Sequence, residues 1–536
     1  MPIKKNIYTA FCITFIVIMT LTLSACFNPW QGNEGMGGNG NMGSITISFG
    51  DEINRGASFL APSIVSRSES INVPRDFINT LKINVTLKRG NEPSISPQVF
   101  QDSNGNFKVS VEPGIWQITV DMFLANGDRF AIGSREGITV EAGKNTNDVK
   151  ISMQLSYYPI NEENLKTIIG NEMFPMDGNY ILTEPINLSG FDWVPIGFDD
   201  DDPFIGIFDG NGYTISNLKI NSPDYSYIGL FGVIGENGIV RNVRLIDVEI
   251  TGNTAVGSLA GVNGGTVENS YATMGNVTGN NYVGGLVGYN RDGDIDGYIG
   301  IVRNSYANVE VNGNIVGGLV GQNNGIVENS YAMNNVNGNF AGGLVGGNYG
   351  IVQNSYATGN VGSGSGSDYP SAGGLVGENL GTVQNCYATG NVEGSSNVGG
   401  LVGQNSATGT IQNSVALNSS IKTNVNTTGT LGRVVGNNQS DPPTAAIGIL
   451  SNNYGRPDNM FTNNTPFNPS GTFGPDTKHG ANVTDGTGAD STASWNNATF
   501  WSVTVRFDNN LWDLANGKLP TLKNMPPGTQ NPQVRE

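Results

Sequence analysis

Two abutting stretches, NIVGGLVGQNNGIVENSYAMNNVNG (residues 314–338) and NFAGGLVGGNYGIVQNSYATGNVGS (residues 339–363), are copies of one 25-residue unit. The asparagine before Ser-Tyr-Ala recurs at Asn269, Asn304, Asn329 and Asn354, and in looser form at Asn385 and Asn413. The Gly-Leu-Val-Gly element recurs at Leu286, Leu319, Leu344, Leu375 and Leu401, with looser copies at Leu230, Leu259 and Val434. About eight copies exceed the roughly three that a stacked repeat needs. Apolar residues come in runs of two to four, and Gly or Asn interrupts them, a density of glycine that no helix survives. Frequent Val and Ile point to strands. One such unit suffices for three short strands and three corners, which is one coil.

A single coil cannot bury its own apolar face, but stacked coils can. The register places Leu319 over Leu344 and Val327 over Val352. Strands of successive coils then pair in parallel at about 4.8 Å, and eight copies with the coils before them form a rod of roughly 40–50 Å. Gly and Asn at the corners accept positive φ at low cost, and the asparagine before Ser-Tyr-Ala is expected to stack as an amide ladder. Two insertions, RDGDIDGYIG (291–300) and SGSGSDYP (363–370), fall where a corner belongs and should loop outward.

On these residues the repeat resembles the GLUG motif of bacterial surface proteins, named for Gly-Leu-hydrophobic-Gly. The resemblance extends to NEENLKTIIG (161–170), GNYILTEPINLSGFDWVPIG (178–197), GIFDGNGYTISNLKI (206–220) and ATFWSVTVRFDNNLWDLANGKLPTL (498–522). It implies an all-β chain whose bulk, residues 156–436, is a right-handed parallel β-helix (solenoid). A short helix with Asn161 as N-cap closes one end, and the Trp512–Leu522 segment closes the other. The family is described in adhesin-like terms, so the motif specifies fold more than activity.

The chain opens Met1-Pro2-Ile3-Lys4-Lys5, continues apolar from Ile7 to Leu23, and reaches Leu23-Ser24-Ala25-Cys26. A charged start, an apolar middle and small residues before a cysteine are similar to a bacterial lipoprotein signal, with residues 1–25 cleaved and Cys26 lipidated. The alternative is an uncleaved membrane helix. Cleavage would leave Cys386 as the single unmodified cysteine, so no intramolecular disulfide is expected. Residues 26–43 are a Gly/Asn tether. Residues 44–155, with SITISF, LKINVTL, FKVSV, IWQITVDMF, GITVEA and VKISMQL, alternate like a small β-sandwich, immunoglobulin-like or transthyretin-like, with Trp116 in its core. Residues 437–495 are expected to be irregular, 496–525 to form the closing strand and cap, and 526–536 a tail.

The formal charge of −18 excludes nucleic acid as a partner, since that needs a basic face, and disfavours docking on anionic lipid. Asp292, Asp294 and Asp296, with Gly297 following, match the start of a calcium loop, although Arg303 stands where a closing glutamate belongs; the other reading is a solvated corner loop. Asp199–Asp202, with Asp209 nearby, offers a weaker cation site or another solvated loop. Acids of the repeat, such as Glu268, Glu328 and Glu378, do not form the facing carboxylate pair of a hydrolase, and Gln353 and Gln384 replace the first two in later copies. His479 is the single histidine and is expected on an exposed loop, which leaves no His-Glu-x-x-His zinc pair. Tyr271, Tyr306, Tyr331, Tyr356 and Tyr387 form one column, and Val415 in the same position favours packing over an exposed aromatic strip. The expected function is a lipid-anchored envelope protein, on the outer-membrane surface, that binds glycans or proteins. A purely structural surface component is the rival, and a polysaccharide-active enzyme comes third.

Overall fold

The computed structural model describes residues 42–48, 57–60, 70–73, 75–97, 99–101, 107–151, 153–166, 174–292, 299–364, 370–423, 430–438, 447–457, 459–462, 464–466, 473–486 and 493–534. Two compact units emerge. The smaller comprises residues up to 48, 85–120 and 134–151. Its four-stranded sheet sets Gly43–Ser48 between Phe107–Val111, antiparallel, and Asn145–Lys150, parallel. Alternation buries Ile45, Ile47, Val109, Val111 and Val149, and Trp116 is buried as its apolar setting predicts.

The larger unit holds residues 49–84, 121–133 and 152 onward. Its first strands include Met153–Leu155, antiparallel to Ala131–Gly133 and parallel to Phe59–Leu60. From Tyr158 the chain winds as a parallel β-solenoid. In residues 314–338 the strands are Ile315–Gly317, Val320–Asn323, Ile326–Glu328, Tyr331–Ala332 and Val336–Gly338. These lie on four faces rather than the three that the sequence predicts. Faces one, two and three take the first three strands, and face four takes the last two. Face three stacks eleven strands, from Tyr158–Ile160 to Ile449–Ser451, about 48 Å at ordinary strand spacing. Face two has eight, face one seven, and face four eighteen short strands.

The extra corner comes from Gly317-Gly318. A Cβ on Gly317 would collide with the Val320 carbonyl and the Gly346 amide, so the chain bends where face one lies directly on backbone. Asn269, Asn304, Asn329, Asn354, Asn385 and Asn413 turn the corner between faces three and four at φ of 49–55°. Inside, Leu319 and Leu344, Val327 and Val352, and Ala332 and Ala357 sit in single-type columns with no exposure. Stacking is in register: Leu319 N–H donates to Leu344 O at 2.9 Å, and Val327 pairs with Val352.

The amide ladder exists, but on a different asparagine from the one before Ser-Tyr-Ala. It runs through Asn263, Asn290, Asn323, Asn348, Asn379, Asn405 and Asn438, each Nδ2 donating to the next Oδ1 at 2.7–2.8 Å. The first six are fully buried. The asparagine before Ser-Tyr-Ala takes its left-handed corner and bonds along the stack only in part: Asn385 Nδ2 donates to Asn354 Oδ1 at 3.3 Å, while the Oδ1 atoms of Asn304, Asn329 and Asn385 are buried without a partner. A second ladder runs through the serines: the Ser305 amide donates to Ser330 Oγ, and the Ser330 amide to Ser355 Oγ, both at 3.1 Å. Cys386 replaces a serine here. Its thiol donates to Gln384 O at 3.1 Å and accepts from the Ser355 amide, and burial pushes its pKa up to about 12.

Asn161 caps Glu162–Leu165 as expected, with a reciprocal capping box through Asn164. The other end differs from expectation. The solenoid runs past residue 436, since Ile449–Ser451 and Tyr454–Gly455 pair with the coil below. Arg433 stands where other coils have the second glycine, and its guanidinium donates to His479 O, Gly480 O and Asn482 Oδ1 at 2.7–2.9 Å. Lys478 O accepts from the amides of Val434 and Val435, as Leu344 O does from Leu319 and Val320. Residues 478–482 therefore close the last coil, and Trp512–Leu522 serves elsewhere. Among the described residues no helix is long and apolar enough to cross a membrane.

Asn323→Leu removes one rung of the ladder and leaves an amide donor and an acceptor short of a bond, so it should cost about 3 kcal/mol, whereas Gln322→Leu should stay within about 0.5 kcal/mol; urea midpoints compare them. Cys386→Ser should be near neutral, and Cys386→Val should cost about 1–3 kcal/mol by leaving the Ser355 amide without its acceptor.

Candidate functional site

Outward positions stack as faithfully as inward ones, so each coil contributes to continuous columns. On face three one column reads Asp209, Arg241, Glu268, Arg303, Glu328, Gln353, Gln384, Gln412. Arg241 binds Asp209 at 2.8 Å and Asp128 at 2.5 Å, and its guanidinium beside Asp128 holds that carboxyl below its usual range. Arg303 binds Glu268 through two nitrogens at 2.6 and 2.8 Å. Gln353 donates to Glu328, Gln384 to Gln353, and Gln412 to Gln384, at 2.7–2.8 Å. The repeat acids Glu268 and Glu328 are thus members of a hydrogen-bonded ladder along the stack. Asp209, 2% exposed, also accepts from Asn242 and the Asn211 amide, so its oxygens are committed within the fold.

The tyrosine column lies outside the coil interior on face four, and the chain's own C-terminal segment covers it. Ring centroids from Tyr271 to Tyr387 are 4.5–4.9 Å apart. The hydroxyls of Tyr331, Tyr356 and Tyr387 donate to Thr529 O, Gln530 Oε1 and Pro520 O at 3.2, 3.0 and 2.6 Å. Trp501 and Trp512 pack against the same rings, and Phe507 packs against both tryptophans. The segment expected to close the solenoid's end is therefore a strap along its flank, because a column of rings there offers more apolar surface than one terminal rung.

Beside the strap, the second strand of face four bears an open groove of about 900 Å³. Its outward column reads Asn312, Asn337, Gly362, Glu393, Lys422. Corner asparagines flank it and are held coil to coil: the Asn360 amide donates to Asn335 Oδ1 at 3.2 Å, and the Asn391 amide to Asn360 Oδ1 at 3.0 Å. Gly338 and Gly362 lower the floor, and Lys422 pairs with Glu393 at 3.0 Å. Glu393 is the single carboxylate among the groove's described lining residues, whereas glycoside hydrolysis uses two. Fixed amides at strand spacing instead offer paired donors and acceptors to an extended polar chain. Sequence reasoning missed this groove, although Asn-Val recurs in the repeat at 335–336, 360–361 and 391–392.

The remaining candidates fall as follows. Cys26 lies outside the described residues, as do Asp294 and Asp296. At the base of the first insertion the Gly300 amide donates to Arg291 O, Asp292 is bridged to Ile299, and the Asp292 carboxylate accepts from Asn324 at 3.3 Å. Arg291 also reaches Asp200 at 2.6 Å, which brings the two acidic loops together, while Asp199 Oδ1 accepts from the amides of Asp201 and Asp202. Among the described residues no three acids, histidines or cysteines gather as a metal site. His479 is not on a free loop but part of the closure: its Nδ1 accepts from the Arg433 amide at 3.4 Å, and Phe473 meets it edge-on. Burial, then the charges of Lys478 and Arg433, lower its pKa to about 4.

The family model described as "The GLUG motif" matches residues 279–312, 339–362, 368–393 and 394–422, so the chain carries GLUG repeats. A protein described as a Gly-rich membrane protein of Evansella cellulosilytica is 44% identical over 166 residues, 30% of this chain and 19% of that protein. Halomucin of Haloquadratum walsbyi is 35% identical over 116 residues, 20% of this chain and 1% of its own length. The chain thus spans a fifth or less of each of these relatives. A crystal structure described as that of an immunoglobulin A1 protease from Bacteroides ovatus covers 68% of this chain and 92% of its own, at 19% identity and a TM-score of 0.37.

The neutral imidazole of His479 makes the closure sensitive to acid. Its folded pKa lies below the ordinary value of about 6.5, so the unfolded chain binds the extra proton first. The stability it contributes should be complete above about pH 6.5 and be lost as the pH falls toward about 4. Relative to His479→Gln, the wild-type urea midpoint should decline over that window and run parallel above it.

Proposed function

We propose that this GLUG-repeat chain is a binding protein of the cell envelope, not an enzyme, and that the amide groove on face four is where it holds an extended neutral partner, a glycan strand or an extended peptide. The observation that carries this reading is the groove itself: about 900 Å³, walled by in-register asparagines and floored by glycine. A net charge of −18 repels polyanions and leaves uncharged or cationic chains as partners. The resemblance of residues 1–26 to a lipoprotein signal supports attachment through lipid on Cys26, with the solenoid facing outward, and a relative described as a membrane protein agrees with an envelope location.

Two experiments test it. Cys26→Ala should abolish incorporation of labelled fatty acid and release the chain from the membrane fraction; retention without acylation would remove the lipid anchor. The full chain in detergent should bind glycans or extended peptides saturably on arrays. Gly362→Asn, which restores the column's own residue and fills the floor, together with Glu393→Ala, should weaken that binding on the order of tenfold, as the loss of one or two hydrogen bonds does. No saturable binding to any array member would favour the structural-component reading.

A further inference from the structure

The groove on face four has a period, and the backbone sets it. Its outward column, Asn312, Asn337, Gly362, Glu393 and Lys422, places one residue per coil, at the strand spacing of about 4.8 Å. The corner column beside it, Asn335, Asn360 and Asn391, keeps the same step. Each Oδ1 there is held by a backbone amide of the next coil, that of Ser420 donating to Asn391 Oδ1 at 3.1 Å. Amides tied in this way do not shift to suit a ligand of another period. Among the described residues Asn335 and Asn391 use Oδ1 alone, so each keeps its Nδ2 donor for a ligand.

That step selects among extended polymers. A β-strand repeats its same-side groups at about 6.7 Å, which matches neither one coil nor two. A polyproline II chain repeats at about 9.3 Å and would engage every second coil. A pyranose chain with β-1,4 links advances by close to one strand spacing per sugar and stays straight, so it meets every coil. An α-1,4 chain of the same sugar curves away from a straight groove. The lining agrees with this choice. Its two valines, Val361 and Val392, are buried in the coil interior, which leaves no apolar pocket for the side chains of a peptide. The amides and the Glu393–Lys422 pair offer donors and acceptors to hydroxyls.

We propose that the groove holds a neutral β-1,4-linked oligosaccharide along the stack, one sugar to each coil from Asn312 to Lys422. This occupant presupposes the binding groove proposed above and narrows it to one polymer and one direction. Gly362, which has no side chain, lets the middle sugar lie close over the column, and Glu393 and Lys422 accept from and donate to hydroxyls at one end. The net charge of −18 disfavours uronate polymers of the same linkage.

Isothermal titration of the full chain in detergent tests it, with β-1,4 oligomers of glucose, mannose and N-acetylglucosamine of increasing length. In at least one series affinity should climb about three- to tenfold per added sugar, as one or two hydrogen bonds each allow, and level off at about five sugars. The α-1,4 hexamer of glucose should bind about tenfold more weakly than the best β-1,4 hexamer, or worse. Gly362→Asn splits the column, so a hexamer should fall to the affinity of a two-sugar ligand, and an unchanged urea midpoint should show that the fold is intact. Glu393→Ala, at an exposed position, should lower the plateau by itself. Affinity that does not grow with length, an α-1,4 hexamer that binds as well, or binding by peptides alone would each overturn the glycan; if Gly362→Asn still abolished that binding, the groove would stand. β-1,4 binding that survives both substitutions would overturn the groove and its occupant together, as would binding by no oligomer and no peptide.

Discussion

The structure depends on backbone hydrogen bonds that no coil can make alone. Every strand on face three between Tyr158–Ile160 and Ile449–Ser451 takes its partners from the coils before and after it. Residues in equivalent positions are thereby forced into columns one strand spacing apart. Apolar columns then pack like upon like, which the interior Leu, Val and Ala columns do without exposure. Polar columns must bond along the stack or remain unsatisfied, and the buried asparagines and serines meet that demand by donating to the next coil. The polar ladders also fix register: a one-residue slip would carry Asn323 away from Asn348 and turn Val327 outward.

The same constraint shapes the surface. A feature in one coil is repeated or cancelled in the next, so functional relief arises where a column changes residue. Gly362 interrupts a column of Asn, Glu and Lys. It opens space without disturbing a strand, because strand pairing is independent of what points outward. Charge follows the same rule. Asp209, Arg241, Glu268 and Arg303 alternate in sign along one column, and where the alternation ends at Glu328 glutamines continue it as neutral donors and acceptors.

Much of this was legible in the residues. The spacing of Leu319 and Leu344 predicted their stacking, the insertion at 291–300 predicted a corner, and Val415 in the tyrosine column predicted packing. Asn161 announced its helix. What misled was the ambiguity of asparagine. Four asparagines recur in the unit, and any of them could form a ladder or turn a corner. The one before Ser-Tyr-Ala takes φ near 50°, whereas the one after Val-Gly-x points inward, and sequence spacing does not reveal which. The closure was illegible for a related reason. Arg433 and Lys478 are 45 positions apart, and only the missing next coil gives the Arg433 guanidinium and the amides of Val434 and Val435 a reason to find carbonyls there.

The amino-acid sequence by itself determined that this chain is a stack of short parallel strands, because a repeat of that length, glycine content and apolar pattern has few other ways to bury its side chains. Only the tertiary structure decided which outward columns remain open. The tyrosines are covered by a strap from residues 500–530, the repeat acids Glu268 and Glu328 are tied into ladders, and the accessible relief falls at the groove around Gly362. The physical reason is that inward burial follows from local periodicity, whereas outward exposure depends on what distant segments of the chain come to lie across each face.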